Sequence, residues 1–308
     1  MSRYITSLTL PDKDSFLLTV IAESKNDHPE WSFVRMPFFQ NEVDGYPIGL
    51  FPKGLSLEFS PVTILYGNNG SGKSTILNLM AEILEIGRRS PINNSRYFSL
   101  FAKFCQLTTH SDFDDIDRRR DIITSDDVFK HCFQVRDANR TITKSQNEAI
   151  QMKRSVMRGE FQVTQLRGLE DFERWKHDVS QRRDLGKKSF SVYLRDHVGH
   201  THTPASNGET ALEFFTSTIN SAGVYLLDEP ENSLSPAFQL KLLEFLEQTS
   251  EWMGMQYIIA THSPLLLGMP KAKIINLDEE GAPERKWSEL ENIRILHDFF
   301  AEREAEFK

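Results

Sequence analysis

The chain has 308 residues, 39% hydrophobic and 26% charged, with 36 Lys+Arg against 44 Asp+Glu and a net charge of -8. That length suits one large domain or two small ones and can bury a core without disulfides or metal staples. Its ordinary apolar content excludes wholesale disorder, and the acidic balance argues against indiscriminate nucleic-acid binding.

No stretch approaches the ~20 apolar residues that span a bilayer. The first eight residues lack the apolar core of a signal peptide, so a cytoplasmic location is expected. Cys105 and Cys132 have no metal-ligand spacing and read as free thiols.

Residues 4–10 alternate as a strand closed by Pro11, and residues 16–21 give a second strand signal. Residues 26–54, rich in Pro, Gly, Asn and aromatics, read as loop with short strands. Residues 55–59 alternate, and 62–66 form a buried-strand run. After a glycine-rich turn, residues 73–86 carry apolar residues at helical spacing. The middle, 110–205, is charged and poor in Gly and Pro, which favours long helices. Residues 152–188 hold ten Lys/Arg against six acids.

From residue 208 the α/β pattern returns. A helix over 209–219 with Leu212, Phe215 and Ile219 on its apolar face precedes a buried strand at 223–227. Ser235-Pro236 opens a helix with Leu240, Leu243 and Leu246 on one face. Strands at 257–260 and 273–277 and a helix at 288–306 follow. Alternating strands and helices predict a mostly parallel, covered α/β sheet. The expected division is a nucleotide-binding core from 1–125 and 222–308, with an inserted helical subdomain at 126–221.

Gly67-Asn68-Asn69-Gly70-Ser71-Gly72-Lys73-Ser74, followed by Thr75, matches a phosphate-binding loop between strand and helix. Unobstructed backbone N–H groups and the positive helix end attract phosphate. Lys73 is placed to reach the β/γ-phosphates and Ser74 to bind Mg²⁺. The plain alternative is an accidental glycine-rich turn.

The apolar strand 224–227 ends in Asp228-Glu229. It delivers two carboxylates to the carboxyl edge of the sheet, where such folds bind ligands. Asp228 suits Mg²⁺ or its waters, and Glu229 suits deprotonation of an attacking water. Another buried strand delivers His262 to the same edge, as a donor to a γ-phosphate. Ser206-Asn207-Gly208-Glu209 opens a helix and offers free N–H groups and a hydroxyl to an anion. Each could instead be structural: solvated acids, a loop histidine, an N-cap.

In this order the four motifs resemble the ATP-binding-cassette (ABC) ATPases, as phosphate loop, signature, acid pair and switch histidine. The wording Asp228-Glu229-Pro230-Glu231-Asn232-Ser233-Leu234-Ser235-Pro236 and Ala260-Thr261-His262-Ser263-Pro264 is similar to small soluble AAA-family ATPases of the chromosome-maintenance and DNA-repair group. In that group the signature often reads Ser-x-Gly-Glu. The resemblance covers roughly 50–90 and 200–300. It implies Mg²⁺-dependent ATP hydrolysis by a head-to-tail homodimer. Lys73 and Ser74 of one copy would hold the ATP, Ser206 and Gly208 of the other would touch its γ-phosphate, and residues 231–235 would cross between the sites. It further implies a separate effector, commonly a nuclease, in prokaryotic defence or DNA repair. The alternatives are a DNA-clamping repair ATPase and, against the Thr-His-Ser-Pro wording, a transporter motor. Only about 46 residues follow His262, too few for an added nuclease domain.

The family glutamine between phosphate loop and signature has no secure counterpart. Asp126, at the end of a strand near 121–124, could bind a Mg²⁺ water in its place. Helix capping by Ser125 or Asp126 is the alternative, and Gln106 is the other candidate. Phe38, Phe39 and Phe51 are expected in the core rather than against adenine. His197, His200 and His202 cluster without enough partners for a metal. The basic residues of 152–188 read as a solvated helical face, with contact to nucleic acid as the alternative.

Overall fold

A computed structural model describes residues 3–24, 47–92, 95, 97–110, 119–165, 171–187 and 206–307. They fall into two compact units, residues 1–129 with 207–308 and residues 130–206. The expected insert, 126–221, extends past the second unit at both ends.

The first unit is built on a parallel five-stranded sheet in the order β5-β6-β7-β3-β8. These strands are β3 (Val62–Tyr66), β5 (Arg119–Thr124), β6 (Gly223–Asp228), β7 (Met255–Ala260) and β8 (Lys273–Asn276). Every residue of β3 and β7 is buried, as expected for a sheet covered on both faces. Register sets the functional edge. Ala260 pairs with Leu65 on one side and with Asp228 on the other, and Asp228 pairs with Thr124. Four strands therefore finish at one level, and the segments after them start together.

A second, antiparallel sheet has the order β2-β1-β4, from β1 (Ile5–Leu10), β2 (Leu55–Glu58) and β4 (Gln106–Thr109). Gln256 of β7 ties it to the first. Its Oε1 accepts from Tyr4 N and Ile5 N, and its Nε2 donates to Ile5 O and Ser60 O. A fully buried amide is tolerable there because it makes four bonds.

The strand signal at 16–21 is overturned: these residues lie in helix α1 (Lys13–Ser24). Phe16 and Val20, one helical turn apart, are buried, while Leu18 and Ile21 are exposed. The Asp12 carboxylate accepts from Ser15 N at 2.9 Å and caps the helix. Helix α2 (Lys73–Ile83) follows the glycine-rich loop, and α3 (Phe98–Phe104) packs Phe101 and Phe104 edge-on against Phe16.

Further along, α6 (Asn207–Thr218) buries Ala211, Phe214, Phe215 and Thr218. Helix α7 (Pro236–Trp252) buries Leu242 and Leu246 and leaves Leu240 exposed, so its inward face is rotated from the expected 240/243/246 stripe. A one-turn helix α8 (Pro264–Leu267) and helix α9 (Glu291–Glu302) complete the unit.

In the second unit, residues of α4 (Ser125–Met157) and α5 (Phe172–Lys187) dominate the described part. Thr164 donates from N and Oγ1 to the Asp178 carboxylate. Arg154, Arg158, Arg174, Lys176, Arg182 and Arg183 are exposed. Among the described residues, no helix is long and apolar enough to cross a membrane.

Candidate functional site

The loop Gly67–Gly72 leaves β3 and enters α2. Gly70 and Gly72 hold φ of 84° and 96°, a left-handed backbone that favours glycine. At Gly72 a Cβ would also collide with the Phe51 ring, so the buried Phe51 is a floor under the loop. Lys73 is only 5% exposed, and its Nζ donates to Gly67 O at 2.7 Å and Asn68 O at 3.1 Å. Burial lowers its ammonium pKa, while Glu229, Asp278, Asp228 and Glu231 pull the other way. Asp278, two residues beyond β8, accepts Asn68 N with both carboxylate oxygens, at 2.8 and 2.9 Å. It pins the first turn of the loop to the next strand.

Ser74 opens α2 and donates its hydroxyl to Asp228 Oδ1 at 2.9 Å. Burial pushes the Asp228 carboxyl up to about 6, with the Ser74 bond acting against it. A buried carboxylate that gains from a cation is thus beside the phosphate loop. Both residues line a cleft of about 490 Å³ with Thr75, Asn78, Thr124 and Asp126. Helix capping falls to neither Ser125 nor Asp126. Thr124 and Asp127 cap α4 reciprocally: Asp127 N donates to Thr124 Oγ1, and Asp127 Oδ2 accepts Thr124 N and Oγ1. Ser90 donates to the other Asp127 oxygen at 2.6 Å. Asp126 is left exposed, facing the cleft. Gln106 sits instead on β4 of the antiparallel sheet, opposite Thr9.

Glu229 follows Asp228 with φ of 48°, an uncommon backbone for a residue with a side chain. Asn232 holds its carboxylate, donating Nδ2 to Oε2 at 2.7 Å. The other oxygen, Oε1, lies 3.9 Å from His262 Nε2. That ring nitrogen is buried, with no hydrogen-bond partner among the described residues. Glu231, 8% exposed, uses one oxygen to accept from Thr261 Oγ1, His262 N and Ser263 N. The clamp roles of Asn232 and Glu231 were not read from sequence; that of Glu231 depends on how β6 and β7 align.

Ser206, Asn207 and Glu209 are exposed at the start of α6, and Gly208 is buried. A Cβ on Gly208 would strike the Phe238 ring of α7, so packing within the chain already requires glycine here. His197, His200 and His202, and Phe38 and Phe39, lie outside the described residues. Among the described residues no group of His, Cys, Asp and Glu has the form of a metal cluster. Cys105 and Cys132 are buried thiols, and burial pushes the Cys105 thiol up to about 12.

Residues 170–268 match the family described as "AAA domain, putative AbiEii toxin, Type IV TA system". The match takes in the Ser206, acid-pair and His262 motifs and stops short of the phosphate loop. No curated protein matches the chain. Among solved structures, one similar chain is a dimeric ATP-binding cassette in a post-hydrolysis state with ADP and Pi. It has 17% identity and a TM-score of 0.34, covering 76% of this chain and 89% of that one. Another is the Smc head domain with an extended coiled coil bound to the C-terminal domain of ScpA, from Pyrococcus furiosus. It has 13% identity and a TM-score of 0.38, covering 96% of this chain and 99% of that one. A nucleotide-free cassette from an ABC transporter has 12% identity and a TM-score of 0.37, covering 80% and 88%. At these scores nothing of their states or partners carries to this chain. A phosphate loop, an acid pair and a strand-end histidine thus lie together on the carboxyl edge of one parallel five-stranded α/β sheet.

Proposed function

We propose that the protein hydrolyses ATP with Mg²⁺ as an ATP-driven dimerising switch. The observation that carries this reading is the Ser74–Asp228 bond at the head of the phosphate loop, with Glu229 and His262 beside it. Lys73 and the backbone N–H groups of residues 70–75 bind the phosphates. The hydroxyl of Ser74 and the carboxylates of Asp228 and Asp126 are hard oxygen donors in one cleft, a set that fits Mg²⁺. When bound there, Mg²⁺ neutralises phosphate charge.

Four carboxylates act on Lys73: Glu229, Asp278, Asp228 and Glu231. A triphosphate entering such a site without a cation meets net repulsion, which supports metal dependence. Glu229 takes the proton of the attacking water, and His262 stabilises the charge on the γ-phosphate. A second copy supplies Ser206 and Gly208 to close over the nucleotide, and residues 231–235 run between the two sites. Binding then closes the dimer and hydrolysis opens it.

The family description for residues 170–268 fits a toxin–antitoxin setting, and a separate effector such as a nuclease, in prokaryotic defence or DNA repair, is an analogy drawn from the motif resemblance alone. The test is phosphate release with Mg²⁺ or with EDTA. Turnover is expected only with the metal. Glu229→Gln is expected to abolish turnover while keeping nucleotide binding. Equal turnover in EDTA, or a fully active Glu229→Gln, would contradict the reading.

A further inference from the structure

The segment Glu229-Pro230-Glu231-Asn232 contains two glutamates with opposite environments. Glu229 is partly open, held by Asn232 through Oε2, and directs Oε1 toward His262 Nε2. Glu231 is buried and reaches across to the end of β7. Its Oε1 gathers the Thr261 hydroxyl at 2.7 Å, His262 N at 2.8 Å and Ser263 N at 3.0 Å. Its Oε2 is buried and makes no hydrogen bond among the described residues.

Three donors on one oxygen fix the backbone from which the His262 ring projects. Ser263 is anchored further, donating to Gln239 Oε1 and accepting Leu265 N and Leu266 N. The neighbours of His262 on both sides are thus tied down, and its ring nitrogen faces Glu229. A side chain acting through one acceptor oxygen needs length and shape. All three bonds run through Oε1, and an amide in the same place offers one acceptor oxygen at the same reach.

We propose that Glu231 is a positioning residue of the hydrolytic site, holding the Thr261–Ser263 turn so that His262 faces Glu229. It works as a hydrogen-bond acceptor rather than as a base or metal ligand. This rests on the reading of the site as an ATPase.

The test compares two substitutions of opposite kind. Glu231→Gln keeps the length and one acceptor oxygen and removes the charge. Glu231→Asp keeps the charge and shortens the reach by one methylene. The expected result is that Glu231→Gln stays within about five-fold of wild-type kcat, while Glu231→Asp loses roughly ten-fold or more with KM for ATP little changed. In a His262→Ala background, Glu231→Asp is expected to cost less than about three-fold, because the group it positions is gone.

An active Glu231→Asp, an inactive Glu231→Gln, or an equal loss with and without His262 would each overturn the inference. Melting curves of both variants confirm the fold. Glu229→Gln runs alongside. If the wild type shows no Mg²⁺-dependent ATP turnover, the ATPase reading itself fails; if the wild type is active and Glu229→Gln inactive while Glu231→Asp is active, only the positioning role fails.

Discussion

Ser74 and Asp228 are 154 positions apart in the chain and share a 2.9 Å hydrogen bond. The start of one helix and the end of one strand meet there because β3 and β6 both flank β7 in register. The same register places Glu229 and His262 on adjacent strand ends.

Asp228 carries a pH signature. Its carboxyl holds a proton up to about 6 in the folded chain, against 3.8 as its ordinary value. Between these pH values the folded chain keeps a proton that the unfolded chain has released. Stability without nucleotide therefore falls as pH rises through that window. Asp228→Asn removes the cost of the buried charge. It is expected to be more stable than wild type by about 3 kcal/mol above pH 6, with the gap closing toward pH 4. Urea denaturation across pH measures this; a pH-independent difference would contradict it.

Asp126 faces the cleft that Ser74 and Asp228 line, while its neighbour Asp127 is occupied in capping α4. Asp126→Ala is expected to raise the Mg²⁺ concentration for half-maximal turnover by about ten-fold, as loss of an outer metal partner does. Asp126→Gln should recover part of it. A Mg²⁺ titration unchanged in Asp126→Ala would remove the residue from the site.

Gly208 separates two explanations of the Ser206–Glu209 motif. A Cβ there meets Phe238. Gly208→Ala is therefore expected to destabilise the isolated chain by about 1–3 kcal/mol through overpacking. Adding Phe238→Leu should restore much of that stability. If activity does not return with stability, Gly208 also contacts nucleotide. A Gly208→Ala chain as stable as wild type would contradict the packing account.

The parallel core was legible because its strands are continuous apolar runs and its loops carry glycine at positions of left-handed φ. Residues 62–66, 223–227 and 257–260 needed no tertiary knowledge. The helix at Lys13–Ser24 was misread as a strand because Phe16-Leu17-Leu18-Thr19-Val20-Ile21 is almost wholly apolar and ends in three β-branched residues. Asp12 after Pro11 is a local capping signal, and it overrides that propensity. On α7 the spacing of leucines did not settle which of them turn inward, since Leu240 and Leu242 differ only in what packs above them. The clamp by Glu231 was not legible, because it depends on how β6 and β7 align. A buried acid beside Pro230 carries no such information by itself.

The central claim is that each ATP is held at Lys73 by one copy and covered at Ser206 by the other. Mixing two inactive variants tests it most directly. Lys73→Ala lacks the phosphate-binding lysine, and Ser206→Arg blocks the covering surface. In a mixed dimer one of the two sites combines an intact Lys73 with an intact Ser206. Turnover is therefore predicted to reappear on mixing, well above the sum of the separate variants. A mixture no more active than that sum, under conditions where the wild type dimerises with ATP, would contradict a shared site.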